Sequence, residues 1–342
     1  MALYIYLTLI SIFVFYSIYI FRNTISSFLN VNDIPDHKRK IHNYPIPKTG
    51  SYSIFITFSI ILMLNNFFNI FANDFELVII GSLLIFIVGF LDDVFNLSAM
   101  KKIVLCSIII IFLFNYNQGF VITKFYIFSF DTFFKLNNFS LIFTILCILC
   151  LINSLNLADG INGLATGLIF FWLIYISEIY KHYLNNEVFF LIIIILINLI
   201  LIFIFNLKNK HFLGDSGSLM LSSFVAILII YLHNLKLDDP NHSNSAESIL
   251  LLFIIPVIDM IRLIFSRLIK KLSPAEGDNN HLHHHLIKKY SISKSLSIYF
   301  LLVNIPILMS LFTSINKLFI IFFTLLIYSA TIIHLKKNGK KI

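Results

Sequence analysis

Apolar residues run through this chain in blocks of about 20, separated by short polar strings. A block of that length lets an α-helix cross about 30 Å of hydrocarbon. The blocks predict eleven helices, over residues 2–21, 51–71, 76–91, 102–117, 139–156, 163–180, 187–206, 217–235, 248–269, 293–313 and 317–335. The expected fold is therefore all-α: a polytopic integral membrane protein forming one transmembrane domain over residues 1–342.

Composition agrees, with 58% hydrophobic and 12% charged residues and a mean hydropathy of +0.91. Soluble domains carry about 25% charged residues. The chain has a net charge of +8, and its 25 Lys and Arg are unevenly placed. Twenty fall on or beside loops 22–50, 92–101, 157–162, 207–216, 270–292 and the tail; only Lys124, Lys135, Lys181, Lys236 and Lys317 fall on the other side. The positive-inside rule makes the rich face cytoplasmic, with the N-terminus outside and the C-terminus inside. No basic stretch precedes the first helix, which is expected to be a retained span. The basic residues do not cluster on a soluble domain, so anionic headgroups and phosphorylated substrates are the expected partners, not nucleic acid. Cys106, Cys147 and Cys150 sit in apolar runs without disulfide or zinc spacing.

The polar strings carry the candidate chemistry. The first loop, Asp33 to Gly50, holds Arg39, Lys40 and His42 between prolines; its cations suit anionic lipid or a phosphate. The third helix ends on Asp92 and Asp93, adjacent carboxylates that are costly at a membrane boundary unless used, or else an ordinary polar terminus. The fifth ends on Asn153, Asn156 and Asp159, spaced to share a face, followed by Gly160 and Gly163. Carboxamide and carboxylate oxygens are the hard ligands Mg²⁺ prefers, and a capped helix end explains the same residues. After the seventh helix, Gly214 and Gly217 bracket Asp215, ahead of Ser218. An anion with its metal would fit there, and so would a helix cap. Asp259 and Arg262 stand three apart inside the ninth helix, as a functional pair or a structural one. The following loop holds His281, His283, His284 and His285, with no Cys or Glu directly beside them as a zinc site would need.

Five of these segments, in this order from Asp33 to Leu286, resemble the bacterial polyprenyl-phosphate N-acetylhexosamine-1-phosphate transferases. That family includes the enzymes that begin O-antigen, enterobacterial common antigen and teichoic acid linkage units and, more distantly, phospho-N-acetylmuramoyl-pentapeptide transferase. The matching residues are Asp33, Pro35, Arg39, Lys40, His42, Pro45 and Pro47; Asp92 and Asp93; Asn153, Asn156, Asp159 and Gly160; Gly214, Asp215, Gly217 and Ser218; and His281, His283 and His284. The resemblance implies transfer of a HexNAc-1-phosphate from a UDP-sugar to undecaprenyl phosphate, with release of UMP, at the cytoplasmic face of the plasma (inner) membrane. It implies Asp215 and Asn156 as ligands of Mg²⁺ or Mn²⁺, and Asp92 or Asp93 acting on the lipid phosphate. Asp159 would support the metal or nucleotide, and His281, His283, His284, Arg39 and Lys40 would supply positive charge. His42, Asn153, Gly214 and Ser218 complete the expected substrate contacts, and a homodimer is a further expectation. The chain departs from the family pattern at Ser51, Asn162, Ala275 and Asn279. A pentapeptide-bearing donor and a lipid or sugar transporter are the alternatives; no internal repeat supports the transporter.

Overall fold

The computed structural model describes residues 2–35, 44–70, 73–235, 245–274 and 278–338. Each predicted span is a helix: α1 (Ala2–Leu29), α2 (Tyr52–Phe68), α3 (Asn73–Phe95), α4 (Ala99–Tyr116), α5 (Ser140–Ala158), α6 (Leu164–Ile179), α7 (Asn186–Leu207), α8 (Gly214–Leu235) and α9 (Ala246–Ile269), then, after the short α10 (Leu282–Ile287), α11 (Ile292–Phe312) and α12 (Lys317–Asn338). Among the described residues nine of these are long and apolar enough to cross a membrane, while α2 and α6 are shorter apolar helices. The protein is an all-α, multi-pass membrane protein. Two features depart from the sequence expectation: α1 continues past residue 21 to Leu29, and α10 is an extra helical turn under the histidines.

The helices begin where short polar side chains can cap them. Asn185 Oδ1 accepts from Val188 N–H at 3.0 Å, and the hydroxyls of Ser98, Ser245 and Ser291 accept in the same manner. Two small antiparallel sheets join the bundle. β1 (Asn32–Asp33) pairs with β2 (Ile46–Pro47), closing the two ends of the first loop. β3 (Lys124–Ile127) pairs with β4 (Thr132–Lys135) at the opposite end of the molecule, where Glu247 accepts the backbone N–H groups of Phe128 and Ser129.

Helix α8 is the centre. About 83% of its apolar stretch is buried, more than for any other described span, although it is not the most apolar of them. The reason is side-chain size: Ser216, Ser218, Ser222 and Ser223 are buried and small, which lets neighbouring backbones come close. Ser222 and Ser223 return their hydroxyls to carbonyls of their own helix, so the polar atoms are satisfied internally. The most extensive helix pairing is α3 with α8, followed by α5 with α8.

Gly89 sets the closeness of α3 to α8. A Cβ there would lie 2.5 Å from both the carbonyl oxygen of Asp215 and the Cα of Ser216, atoms that cannot rotate away. Gly89→Ala is therefore expected to destabilise the protein by about 1–3 kcal/mol through overpacking. The check is the thermal midpoint in detergent beside wild type, with Gly81→Ala, whose neighbours are flexible side-chain ends, expected to shift it less.

Candidate active site

Four polar segments far apart in sequence line one cavity of about 410 Å³: the first loop (Asp33, Lys48), the end of α5 and the turn after it (Asn156, Asp159, Asn162), the approach to α8 (Asn206, Asn209, Gly214, Asp215), and the segment from α9 to α10 (Arg267, Asp278, Asn279, His281, His284). Asp92 and Asp93 stand directly behind Asp215. The structure thus brings residues of loops 22–50, 157–162, 207–216 and 270–292 to one cavity.

The α8 end of the cavity is built around Asp93. Gly214 enters the helix at φ +76, a left-handed conformation natural to glycine. The N–H groups of Asp215 and Ser216 then donate to Asp93 Oδ1 and Oδ2 at 3.0 and 2.9 Å. A carboxylate from α3 therefore caps α8, where the free N–H groups and the helix dipole favour negative charge. The first loop is zipped to the same turn: Phe212 N–H donates to Pro47 O at 2.8 Å, Gly50 N–H to Phe212 O at 2.8 Å, and Ser51 Oγ to Leu213 O at 3.1 Å.

Cations match carboxylates only in part. Lys48 Nζ lies 3.2 Å from Asp93 and 3.9 Å from Asp33, Lys102 pairs with Asp92 at 2.6 Å, and Arg267 with Asp278 at 3.0 Å. Burial would lower the Lys48 pKa, but Asp93, Asp215 and Asp33 outweigh it and hold the value above normal. Asp278 is held below the usual carboxylate range: burial acts against ionisation, and the Asn280 N–H and Arg267 overcome it. Asp159 and Asp215 remain on the cavity wall with no Lys or Arg at ion-pair distance among the described residues. Asp159 is pushed up to about 8, by burial first and then by the charges of Asp215 and Asp93.

The sequence candidates divide accordingly. Asn156, Asp159, Gly214, Asp215, His281 and His284 line the cavity. The Asn156 amide donates to Asp215 and, at 2.9 Å, to Ser218, which ties the three together. Asn153 does not join them: its amide returns to Leu149 O of its own helix at 2.7 Å. Asp92 and Asp93 are buried in the ion pair and the helix cap, not presented on the wall. His283 is fully buried, seated against Gly160, where any Cβ would strike its ring. Gly160 thus makes room for an imidazole; the glycine that turns the backbone is Gly163, at φ +83. Positive charge from His283 and His284 is not what the structure provides. Burial, then neighbouring imidazoles, lowers His283 well below its ordinary value, and burial, His281 and Lys288 bring His284 down to about 4. Arg39, Lys40, His42 and Ala275 lie outside the described residues.

Sequence reasoning did not single out Lys48, Arg267, Asp278, Asn206 or Asn209 as site residues. Arg267 is the most telling. It is 5% exposed and lines the cavity, and its Nη2 has no protein partner among the described residues, while Nε and Nη1 are held by Asp278 and Pro274 O. Its sequence signal was masked by Arg262, Lys270 and Lys271 close by, which read as membrane-face charge. Asn162, one of the departures, donates to Asn209 Oδ1 at 2.6 Å.

The donor set fits a magnesium ion. Mg²⁺ is typically held by one or two carboxylates together with substrate phosphates, not by an all-protein cage. Asp215 and Asp159, with the Asn156 carboxamide, would supply those oxygens from the cavity wall, and no three His, Cys, Asp or Glu side chains among the described residues form a closed metal cage.

Comparison with known proteins bears on the same segments. Residues 75–233 match the model of glycosyl transferase family 4. That stretch contains Asp92, Asp93, Asn156, Asp159 and Asp215. The match and the motif resemblance fall on these same residues. The chain is 28% identical over 287 residues to an undecaprenyl-phosphate alpha-N-acetylglucosaminyl 1-phosphate transferase of Salmonella typhi, covering 81% of this chain and 74% of that one. It is 26% identical over 296 residues to the protein of the same name from Thermotoga maritima, covering 85% and 83%, and 25% identical over 264 residues to a probable undecaprenyl-phosphate N-acetylglucosaminyl 1-phosphate transferase of Bacillus subtilis, covering 76% and 70%.

The raised Asp159 carboxyl has a sign that can be tested. Unfolded, it titrates near 3.8; folded, near 8, so between these values the folded chain holds the extra proton and stability falls as pH rises. Asp159→Asn cannot ionise. In chelator, wild type is expected to lose thermal stability relative to Asp159→Asn as pH rises from about 5 to 8. Parallel curves would show that the carboxyl is not raised.

Proposed function

We propose that the protein transfers a HexNAc-1-phosphate, GlcNAc-1-phosphate foremost, from a UDP-sugar to undecaprenyl phosphate, releasing UMP as an early membrane step of a cell-surface glycan pathway. The observation that carries this reading is the pair of carboxyl groups, Asp159 and Asp215, on the wall of a cavity formed by the motif segments, with no Lys or Arg at ion-pair distance among the described residues. The relatives' activity agrees with it. The uneven placement of Lys and Arg supports a cytoplasmic site in the plasma membrane.

In the reaction the lipid phosphate forms a new bond to the β-phosphorus while the bond from that phosphorus to the bridging oxygen breaks, and UMP departs with the electron pair. Such a transfer demands alignment and charge neutralisation more than covalent help from the protein. Asp215 would hold Mg²⁺ with Asn156 and Asp159; the ion supplies neutralisation of the crowded diphosphate oxygens. Arg267 would add the positive charge of its guanidinium at the cavity wall, and Lys48 a second positive group from the first loop. Asp93 serves by fixing the first turn of α8, so that Asp215 meets the cavity at a set angle. Asp92, held by Lys102, stands behind it. The gathering of these groups at one end of the bundle suits a substrate whose polyprenyl tail stays in the bilayer while its phosphate reaches the cavity.

Purified protein with undecaprenyl phosphate, Mg²⁺ and a panel of UDP-sugars, including UDP-MurNAc-pentapeptide, is expected to release UMP and form lipid-linked product with a UDP-HexNAc. Asp215→Ala is expected to lower turnover on the order of 10²–10³-fold. Near-wild-type turnover of Asp215→Ala, or product only from the pentapeptide donor, would contradict the assignment.

A further inference from the structure

Asp259 stands well inside α9, only 3% exposed, and the proposed phosphotransfer leaves it without a role. Its hydrogen bonds are unusual in kind. Arg262 Nη2 lies 2.8 Å and the Tyr328 hydroxyl 2.6 Å from Oδ1; Leu282 N–H is 3.2 Å from both oxygens; and His281 Nδ1 is 3.0 Å from Oδ2. Arg262 also donates to Asn280 O at 2.6 Å and to the Tyr328 oxygen at 2.8 Å. One buried carboxylate thereby locks α9, α12 and the segment entering α10 together.

The geometry has a chemical consequence for His281. A carboxylate oxygen accepts and does not donate, so the imidazole nitrogen facing it carries the hydrogen. With Nδ1 engaged in the wall, Nε2 is the nitrogen with which His281 addresses the cavity it lines. His283 and His284 have no partner at Nδ1 among the described residues, so this orientation is particular to His281. A bare structural pair between Asp259 and Arg262 would need neither the imidazole nor the Leu282 N–H.

We infer that Asp259 is a positioning residue: it holds His281 in its Nδ1–H form and turns Nε2 toward the cavity as an acceptor for a protonated phosphate oxygen of the substrate. Arg262 and Tyr328 steady that carboxylate from the far side. The substrate part of this inference rests on the phosphotransfer reading; the tautomer part does not.

Two measurements test the parts separately. In ¹⁵N-histidine spectra of the full chain in nanodiscs, with His281 assigned by the signal lost in His281→Gln, Nδ1 is expected to be the protonated nitrogen; an Nε2–H form overturns the inference. In kinetics, Asp259→Asn is expected to lower kcat on the order of 10–100-fold with the donor KM within about threefold. The double variant Asp259→Asn/His281→Ala is expected to be no slower than His281→Ala alone, because one residue acts through the other. Losses that multiply would make Asp259 a purely structural group. A wild-type protein inactive with every donor would refute the phosphotransfer reading and with it the substrate role, while the spectra still decide the tautomer.

Discussion

The site depends on how α3 grips the first turn of α8. Gly89 allows the two backbones to touch, and one helical turn later Asp93 receives the N–H groups of Asp215 and Ser216. Hydrogen bonds to a charged group contribute about 1.5–3 kcal/mol each, and the helix dipole adds to the attraction. Those contributions hold Asp93 and Asp215 close to each other despite their like charge, with Lys48 bridging Asp93 to the first loop. The same turn anchors Gly50 and Ser51, so one packing contact orders two of the motif segments at once.

From this follows an electrostatic imbalance. Among the described residues Lys48, Lys102 and Arg267 are engaged by Asp33, Asp92, Asp93 and Asp278, which leaves Asp159 and Asp215 facing the cavity together. Buried unpaired charge is costly, and a folded protein relieves it by taking up a proton or a cation. Asp159 illustrates the first route, with its carboxyl pushed up to about 8. A divalent ion bound with a diphosphate is the second, and it is the route the proposed reaction uses. With the pKa values of both lowered, His284 on the cavity wall and His283 packed against Gly160 leave charge to the ion, Lys48 and Arg267.

Much of the architecture was legible because membrane spans are written as apolar blocks, and α2 to α9 begin and end within a few residues of where those blocks do. The site was legible in its membership more than in its geometry. Asn156, Asp159 and Asp215 were readable as oxygen donors, but spacing along α5 could not show that Asn153 turns back on Leu149 O. Nor could adjacency show that Asp93 is a cap for a helix over a hundred residues later; that is a tertiary fact. Arg267 was invisible for a statistical reason, being one basic residue among several at a membrane face. Nor does sequence reveal that His283 occupies the space beside Gly160.

The central claim, that Asp159 and Asp215 hold a divalent ion together with a nucleotide diphosphate, is most directly tested by binding. Mn²⁺ titrated into the purified, metal-free protein and followed by electron paramagnetic resonance should bind weakly alone and at least about tenfold more tightly when UDP is present. Asp215→Asn should abolish that enhancement. Mn²⁺ binding that ignores UDP, or an enhancement that survives in Asp215→Asn, would contradict the account.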